Sequence, residues 1–68
     1  MKREWLIAYR RAKGLTQKEV ADAIGCSQVT YSTYENGKRR PTTKIAKKIG
    51  RIFNFEWTIF FDEENEED

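Results

Sequence analysis

Residues 16–38 read TQKEVADAIGCSQVTYSTYENGK, and the punctuation of this stretch decides the fold. Thr16 followed three residues later by Glu19 is a capping-box pattern, a hydroxyl and a carboxylate exchanging bonds with each other's backbone amides. Val20, Ala21 and Ile24 then form a narrow apolar stripe on a short helix. Gly25 stands where a chain leaving a helix takes a left-handed turn. Ser27 offers a second N-cap two residues on. From it runs QVTYSTYE, with Tyr31 and Tyr34 facing one way and Gln28, Val29, Ser32 and Thr33 the other. Asn36-Gly37 ends this helix with the two residues that best tolerate positive φ. A turn so short makes the two helices cross steeply, and the small Ala21 lets them approach.

The outward face of the second helix is polar yet uncharged, whereas a solvated face normally carries Lys and Glu. Short hydrogen-bonding side chains and one methyl-bearing residue suit the edges of base pairs in a major groove. An ordinary solvated face is the competing reading. The stretch resembles the helix-turn-helix of the phage lambda-repressor and Cro family, the XRE-type regulators. The matching residues are Arg10, Lys13-Gly14-Leu15-Thr16-Gln17, Val20-Ala21, Ile24-Gly25, Ser27 and Glu35-Asn36-Gly37-Lys38-Arg39-Arg40-Pro41. The likeness runs from about Leu6 to Phe61. It implies an all-α fold of five helices, with helices 2 and 3 as the helix-turn-helix, and a protein that is not an enzyme.

Sixty-eight residues allow one domain, near the lower size limit for an independent core. One cysteine and no histidine exclude an internal disulfide and leave no set of zinc ligands. Cys26 reads as a small apolar filler in the turn rather than a redox group. Catalysis lacks its parts: no histidine, and carboxylates clustered in a terminal run. No apolar run reaches the length of a membrane span and no signal sequence is evident, so a cytoplasmic, nucleoid-associated protein is expected. No cofactor, metal or small-molecule ligand is expected.

The net charge of +2 conceals a segregated pattern. Residues 1–61 hold all 13 Lys and Arg against five acids, and residues 62–68 hold the other six acids without a base. The domain is therefore expected over 1–61, with a disordered acidic tail over 62–68. A strongly basic body points to a polyanion partner. For the tail, a solvated, solubilising end is the default. Folding back on the basic face to weaken DNA binding, or contact with a partner, are the alternatives.

Helix 1 is expected from about Lys2 to Lys13, with Leu6, Tyr9 and Ala12 on its buried face, Trp5 beside them, and Gly14 at its end. Pro41 bars helix through the basic loop Lys38-Arg39-Arg40. Thr42 or Thr43 then caps helix 4, about Thr43 to Phe53, whose apolar stripe is Ile45, Ile49, Ile52 and Phe53. Gly50 inside that helix suggests a close helix–helix contact. Residues 56–61 are read as a short fifth helix, although their residue types also suit a strand.

Contacts with DNA divide into those that read bases and those that fix position. Gln28, Val29, Ser32 and Thr33 are the expected readers. Gln17, Ser27, Lys38, Arg39, Arg40 and Lys44 are the expected phosphate contacts, with helix N-termini assisting. A merely solvated loop is the alternative for the three successive cations. The resemblance implies the phosphate role of Gln17 and a structural ion pair between Arg10 and Glu35; two unrelated surface charges are the alternative to that pair. Lys2, Arg3, Lys47 and Arg51 read as solubilising charges. Tyr31 and Tyr34 are read as core. Phe53, Phe55, Trp57, Phe60 and Phe61 exceed what a small core readily hides. Phe55, Trp57, Phe60 and Phe61 are therefore a possible dimer surface, or else they complete the monomer core.

The expected function is sequence-specific binding of double-stranded DNA by a small bacterial or prophage-type repressor, as a homodimer on a palindromic operator. A protein-interaction module on the same fold, such as an antitoxin or anti-repressor, is the alternative.

Overall fold

Each helix in the chain has a start signal, an apolar stripe and a stop, and together they set the architecture. The structure is a computed structural model that describes residues 1–62. It consists of α1 (Glu4–Ala12), α2 (Gln17–Ile24), α3 (Gln28–Glu35), α4 (Thr43–Phe53) and α5 (Ile59–Asp62), with no strand among the described residues. Residues 63–68, most of the expected acidic tail, lie outside the described residues, whereas Asp62 ends α5.

The capping box at α2 is complete: the Glu19 amide donates to Thr16 Oγ1 at 3.1 Å, and the Thr16 amide donates to Glu19 Oε1 at 2.8 Å. Val20, Ala21 and Ile24 are buried, and Gly25 leaves the helix at φ 82°. The next amide, that of Cys26, bonds back to the Ala21 carbonyl at 3.0 Å, so the chain turns at once into α3. Ser27 caps α3 by accepting from the Thr30 amide at 3.1 Å. Thr42, not Thr43, caps α4.

The core draws on every helix. Leu6 of α1, the α2 stripe, Tyr31 of α3, Ala46 and Ile49 of α4, and Phe60 of α5 are each 0–1% exposed. Tyr9 is 39% exposed and Ala12 is exposed, which corrects their expected place on the buried face of α1. Tyr9 instead packs at the rim against Phe55, centroid to centroid 4.9 Å.

Phe60, expected on a possible dimer surface, is fully buried. It packs edge-on against Trp5 at 5.0 Å and lies under the Arg3 guanidinium. Phe53 is also buried, whereas Phe55, Trp57 and Phe61 remain half-buried against the core.

Helix α1 begins at Glu4, not Lys2, because Arg3 is occupied elsewhere. Its amide donates to the Glu35 carbonyl at 2.8 Å, and its guanidinium reaches the carbonyls of Tyr34 and Arg39. Arg3 is therefore a buried structural group, not a solubilising charge. Lys47 likewise rests over the Trp57 ring, 5.3 Å from its centroid.

After α4 the chain reverses at Asn54, in the left-handed conformation at φ 60°. Residues 55–57 then return across Gly50: a Cβ there would stand 2.8 Å from the Phe55 carbonyl oxygen and 3.2 Å from the Trp57 Cβ. The glycine thus admits a returning loop, not another helix. Trp57 and Thr58 form a turn rather than helix, so α5 is shorter than the expected helix from Glu56.

The Glu35 carboxylate ties the first three helices together. Arg10 Nε donates to its Oε2 at 2.6 Å, Arg10 Nη2 donates to Oε1 at 3.2 Å, and Gln17 Nε2 donates to Oε1 at 2.9 Å. Arg10 Nη1 also donates to the Leu15 carbonyl at 2.9 Å, closing the end of α1. The Glu35 side chain is 3% exposed and that of Arg10 15%. Burial pushes the Glu35 pKa up, but the bonds from Arg10 and Gln17 outweigh it and hold the carboxyl below its ordinary range. The Arg10 guanidinium is held above its ordinary value by its hydrogen bonds to Glu35, against the opposing effect of burial. Burial beside this carboxylate pushes the Tyr31 hydroxyl far up, and among the described residues the hydroxyl has no well-formed hydrogen bond.

Two stability measurements check these packings. A carboxyl whose pKa is depressed by folding stabilises the fold above its unfolded value, about 4.3 for Glu, and loses that contribution as pH falls through the folded value. Glu35→Gln should therefore cost about 3 kcal/mol in urea unfolding at pH 7. Its gap from the parent protein should shrink steadily below about pH 4.3; a gap independent of acidity contradicts the assigned pair. Gly50→Ala should destabilise by about 2 kcal/mol through overpacking, although alanine at an unobstructed helix position would gain about 1 kcal/mol. A rise in melting temperature contradicts the close approach.

Candidate nucleic-acid interface

Because the Tyr31 and Tyr34 side chains and Glu35 are turned inward, the 3.6-residue period leaves the other flank of α3 facing out. Gln28 is exposed, Val29 is 77% exposed, and Ser32 and Thr33 are half-exposed. An exposure that high for an isolated valine is a cost in water unless something else covers it. These four side chains line one shallow depression of about 330 Å³ together with Gln17, Asn36 and Lys38. The depression spans the start of α2, the outer flank of α3 and the turn that follows it.

Local bonding restricts what each group can offer. Thr33 Oγ1 donates to the Thr30 carbonyl at 2.6 Å, so its hydroxyl presents an acceptor and a methyl group outward. Ser27 Oγ accepts the capping bond and donates to Thr30 Oγ1 at 3.0 Å. Gln17 gives one of its two amide N–H groups to Glu35, leaving the second N–H and the carbonyl oxygen for other partners. Gln28 carries no such restraint among the described residues, and its amide can donate and accept at once, as bidentate contact with adenine requires.

The basic loop is fixed at its backbone and carries exposed cationic side chains. The Lys38 amide donates to Asn36 Oδ1 at 3.0 Å, and the Arg39 amide donates to the Thr33 carbonyl at 3.2 Å. The Arg39 carbonyl accepts from Arg3 at 2.8 Å. Lys38, Arg39 and Arg40 are exposed, and Pro41 immediately after them is fully buried, pinning the loop to the core. The Arg40 guanidinium stands over the Phe61 ring at 4.7 Å. Lys44 is exposed on the first turn of α4.

Of the residues singled out from sequence, Gln17, Gln28, Val29, Ser32, Thr33 and Lys38 are brought into one depression. Arg39, Arg40 and Lys44 do not line it and lie along the loop and helix beyond. Sequence reasoning passed over Asn36, although it falls four residues after Ser32, one helical turn further along the same flank. It also passed over Arg3, whose support of the loop carries no local sequence signal.

Other chemistry is poorly served. Burial pushes the Cys26 thiol up, against thiolate formation. Among the described residues, no three His, Cys, Asp or Glu side chains gather as metal ligands, and no helix is long and apolar enough to cross a membrane.

Comparison with known proteins agrees with the geometry. Residues 6–60 match the family model described as helix-turn-helix. The chain is 46% identical over 63 residues to YqaF of Bacillus subtilis, named as an uncharacterized helix-turn-helix-type transcriptional regulator, covering 93% of this chain and 83% of that one. It is 38% identical over 58 residues to an uncharacterized regulator of the same type from Archaeoglobus fulgidus, covering 82% of this chain and 83% of the relative. It is 36% identical over 50 residues to the ImmF control region 10 kDa protein of Bacillus phage phi105, covering 74% of this chain and 56% of that protein. No solved structure gives a significant match. The chain belongs to the helix-turn-helix family, of the lambda-repressor and Cro (XRE) type.

Proposed function

We propose that this protein is a DNA-binding transcriptional regulator that lays α3 in the major groove of double-stranded DNA. The observation that carries the reading is the outward flank of α3, an uncharged set of hydrogen-bonding groups with one exposed valine, bordered by exposed cations. Gln28 reads a base edge in bidentate fashion, Val29 covers a thymine methyl, and Ser32 and Thr33 contact neighbouring bases directly or through water. Lys38, Arg39, Arg40 and Lys44, with Gln17 and the capped start of α3 at Ser27, hold the sugar-phosphate backbone on either side.

A single α3 reads only a short half-site. The protein therefore acts as a homodimer on a palindromic operator, with half-sites about 34–36 Å apart. The half-buried rings of Phe55, Trp57 and Phe61 supply the apolar surface for that pairing; Phe60, fully buried, does not. The likeness to a protein whose name places it in a phage control region supports a prophage-type repressor, acting at the nucleoid in the bacterial cytosol.

Selection of bound sequences from a random duplex pool tests the reading and its symmetry together, and should return an inverted repeat. Affinity for random duplex should fall steeply with salt, and Arg39→Ala or Arg40→Ala should each lower the slope by about one. Gln28→Ala should cost about 1–3 kcal/mol on the selected operator and leave random duplex untouched. Absence of duplex binding even at about 50 mM salt removes the reading and points to a protein partner.

A further inference from the structure

We propose that Arg3 is a positioning residue for duplex binding: it caps the C-terminal end of α3 from outside the helix and directs Arg39 toward phosphate. The role in DNA binding rests on the function proposed above; the capping does not. The last four carbonyls of an α-helix find no partner within the helix. In α3 they belong to Ser32, Thr33, Tyr34 and Glu35. The Asn36 amide serves the Ser32 carbonyl at 2.9 Å, and the Arg39 amide serves that of Thr33 at 3.2 Å. Arg3 alone serves the other two. Its amide donates to the Glu35 carbonyl at 2.8 Å, and its Nη1 donates to the Tyr34 carbonyl, 31 positions away. Its positive charge also lies at the end of α3 where the helix dipole favours a cation.

The same nitrogen binds the loop to the helix. Arg3 Nη1 donates to the Arg39 carbonyl at 2.8 Å as well as to that of Tyr34. The two N–H groups on one nitrogen of a planar guanidinium keep a set angle, so they fix where the Arg39 carbonyl stands relative to the end of α3. Arg39 is thereby pinned on both sides, its amide on the Thr33 carbonyl and its own carbonyl on Arg3. With both neighbouring peptide groups held, the Cα–Cβ direction of Arg39 is set before any ligand arrives, while its side chain stays exposed. Less ordering is then left to be done on binding.

Arg3 is itself held rigidly. It is 6% exposed, and its guanidinium lies over the Phe60 ring, 5.5 Å from the centroid. Its carbonyl accepts from the amides of Leu6 at 3.0 Å and Ile7 at 3.2 Å, which joins it to the first turn of α1. The residues before it pass across the turn that ends α3. Gly37 stands there at φ 82°, and a Cβ on it would collide with the Met1 carbonyl. Core, first helix and loop are thus connected through one side chain.

The test measures binding of random duplex by the 68-residue chain and its variants, at a temperature where urea melts show each of them folded. Arg3→Met removes the guanidinium and keeps the backbone bond to Glu35. It should weaken binding about tenfold at about 50 mM salt and lower the salt slope by about one, as loss of the Arg39 phosphate contact would. Lys2→Met removes the same charge from the exposed neighbouring position and should cost about twofold at most. In an Arg39→Ala background, Arg3→Met should also cost about twofold at most, because the group it positions is gone. A folded Arg3→Met protein that binds as the parent does, or one whose loss is the same with and without Arg39, overturns the positioning role. Should Arg3→Met not fold, Arg3→Lys, which keeps a charge without the fork, is put through the same cycle and decides by the same criteria. If the parent binds duplex and the variants match it, only the positioning role fails. If the parent binds no duplex, the DNA reading fails and takes that role with it.

Discussion

The buried carboxylate of Glu35 is the constraint on which the rest of the molecule depends. A charge in that position is tolerated only because Arg10 and Gln17 bring donors to it from α1 and α2. Satisfying one group therefore fixes the mutual placement of three helices. The outward flank of α3 has its direction because the last residue of the same helix is held from behind. An apolar pair could stabilise the site equally well, but it would lack the direction that this forked contact supplies.

The second fixed point is aromatic. Trp5 meets Phe55 and Phe60 edge to face, those two rings lie tilted against each other, and two guanidiniums cover Phe60 and Phe61. This cluster lets a four-residue helix close the domain, a length that could not hold its shape alone. Through Arg3 it is also joined to the loop after α3. The hydrophobic closure of the fold and the placement of its most basic surface are therefore parts of one assembly, and a change at either reaches the other.

How much of this was legible in the sequence depended on whether the signal was local. Caps at Thr16 and Ser27, the stripe of α2 and the stop at Gly25 act within a few residues, and helices 2 and 3 could be bounded from them almost to the residue. The outward placement of Gln28 and Val29 followed from helical period once the two tyrosines were turned inward. The fate of Arg3 was not legible, because an arginine is buried only when distant carbonyls converge on it, here from residues 34 and 39. The same holds for Phe60, where composition announced an excess of aromatic rings but could not say which of them the core would take. Gly50 announced a close approach without naming what approached. No spacing rule connects Gln17 to Glu35, 18 residues on, so the bond between them had no local signature.

The loop from Lys38 to Pro41 is bonded through the Asn36 side chain, the Thr33 carbonyl, the Arg3 guanidinium and a buried proline. Its backbone freedom is surrendered when the chain folds, not when a ligand arrives. An anion meeting the three cations encounters a preorganised scaffold, and the entropy lost on association is confined to the side-chain ends, about 0.5–1.5 kcal/mol for each one immobilised. Tight binding from so few charges becomes feasible in a domain too small to present an extended surface.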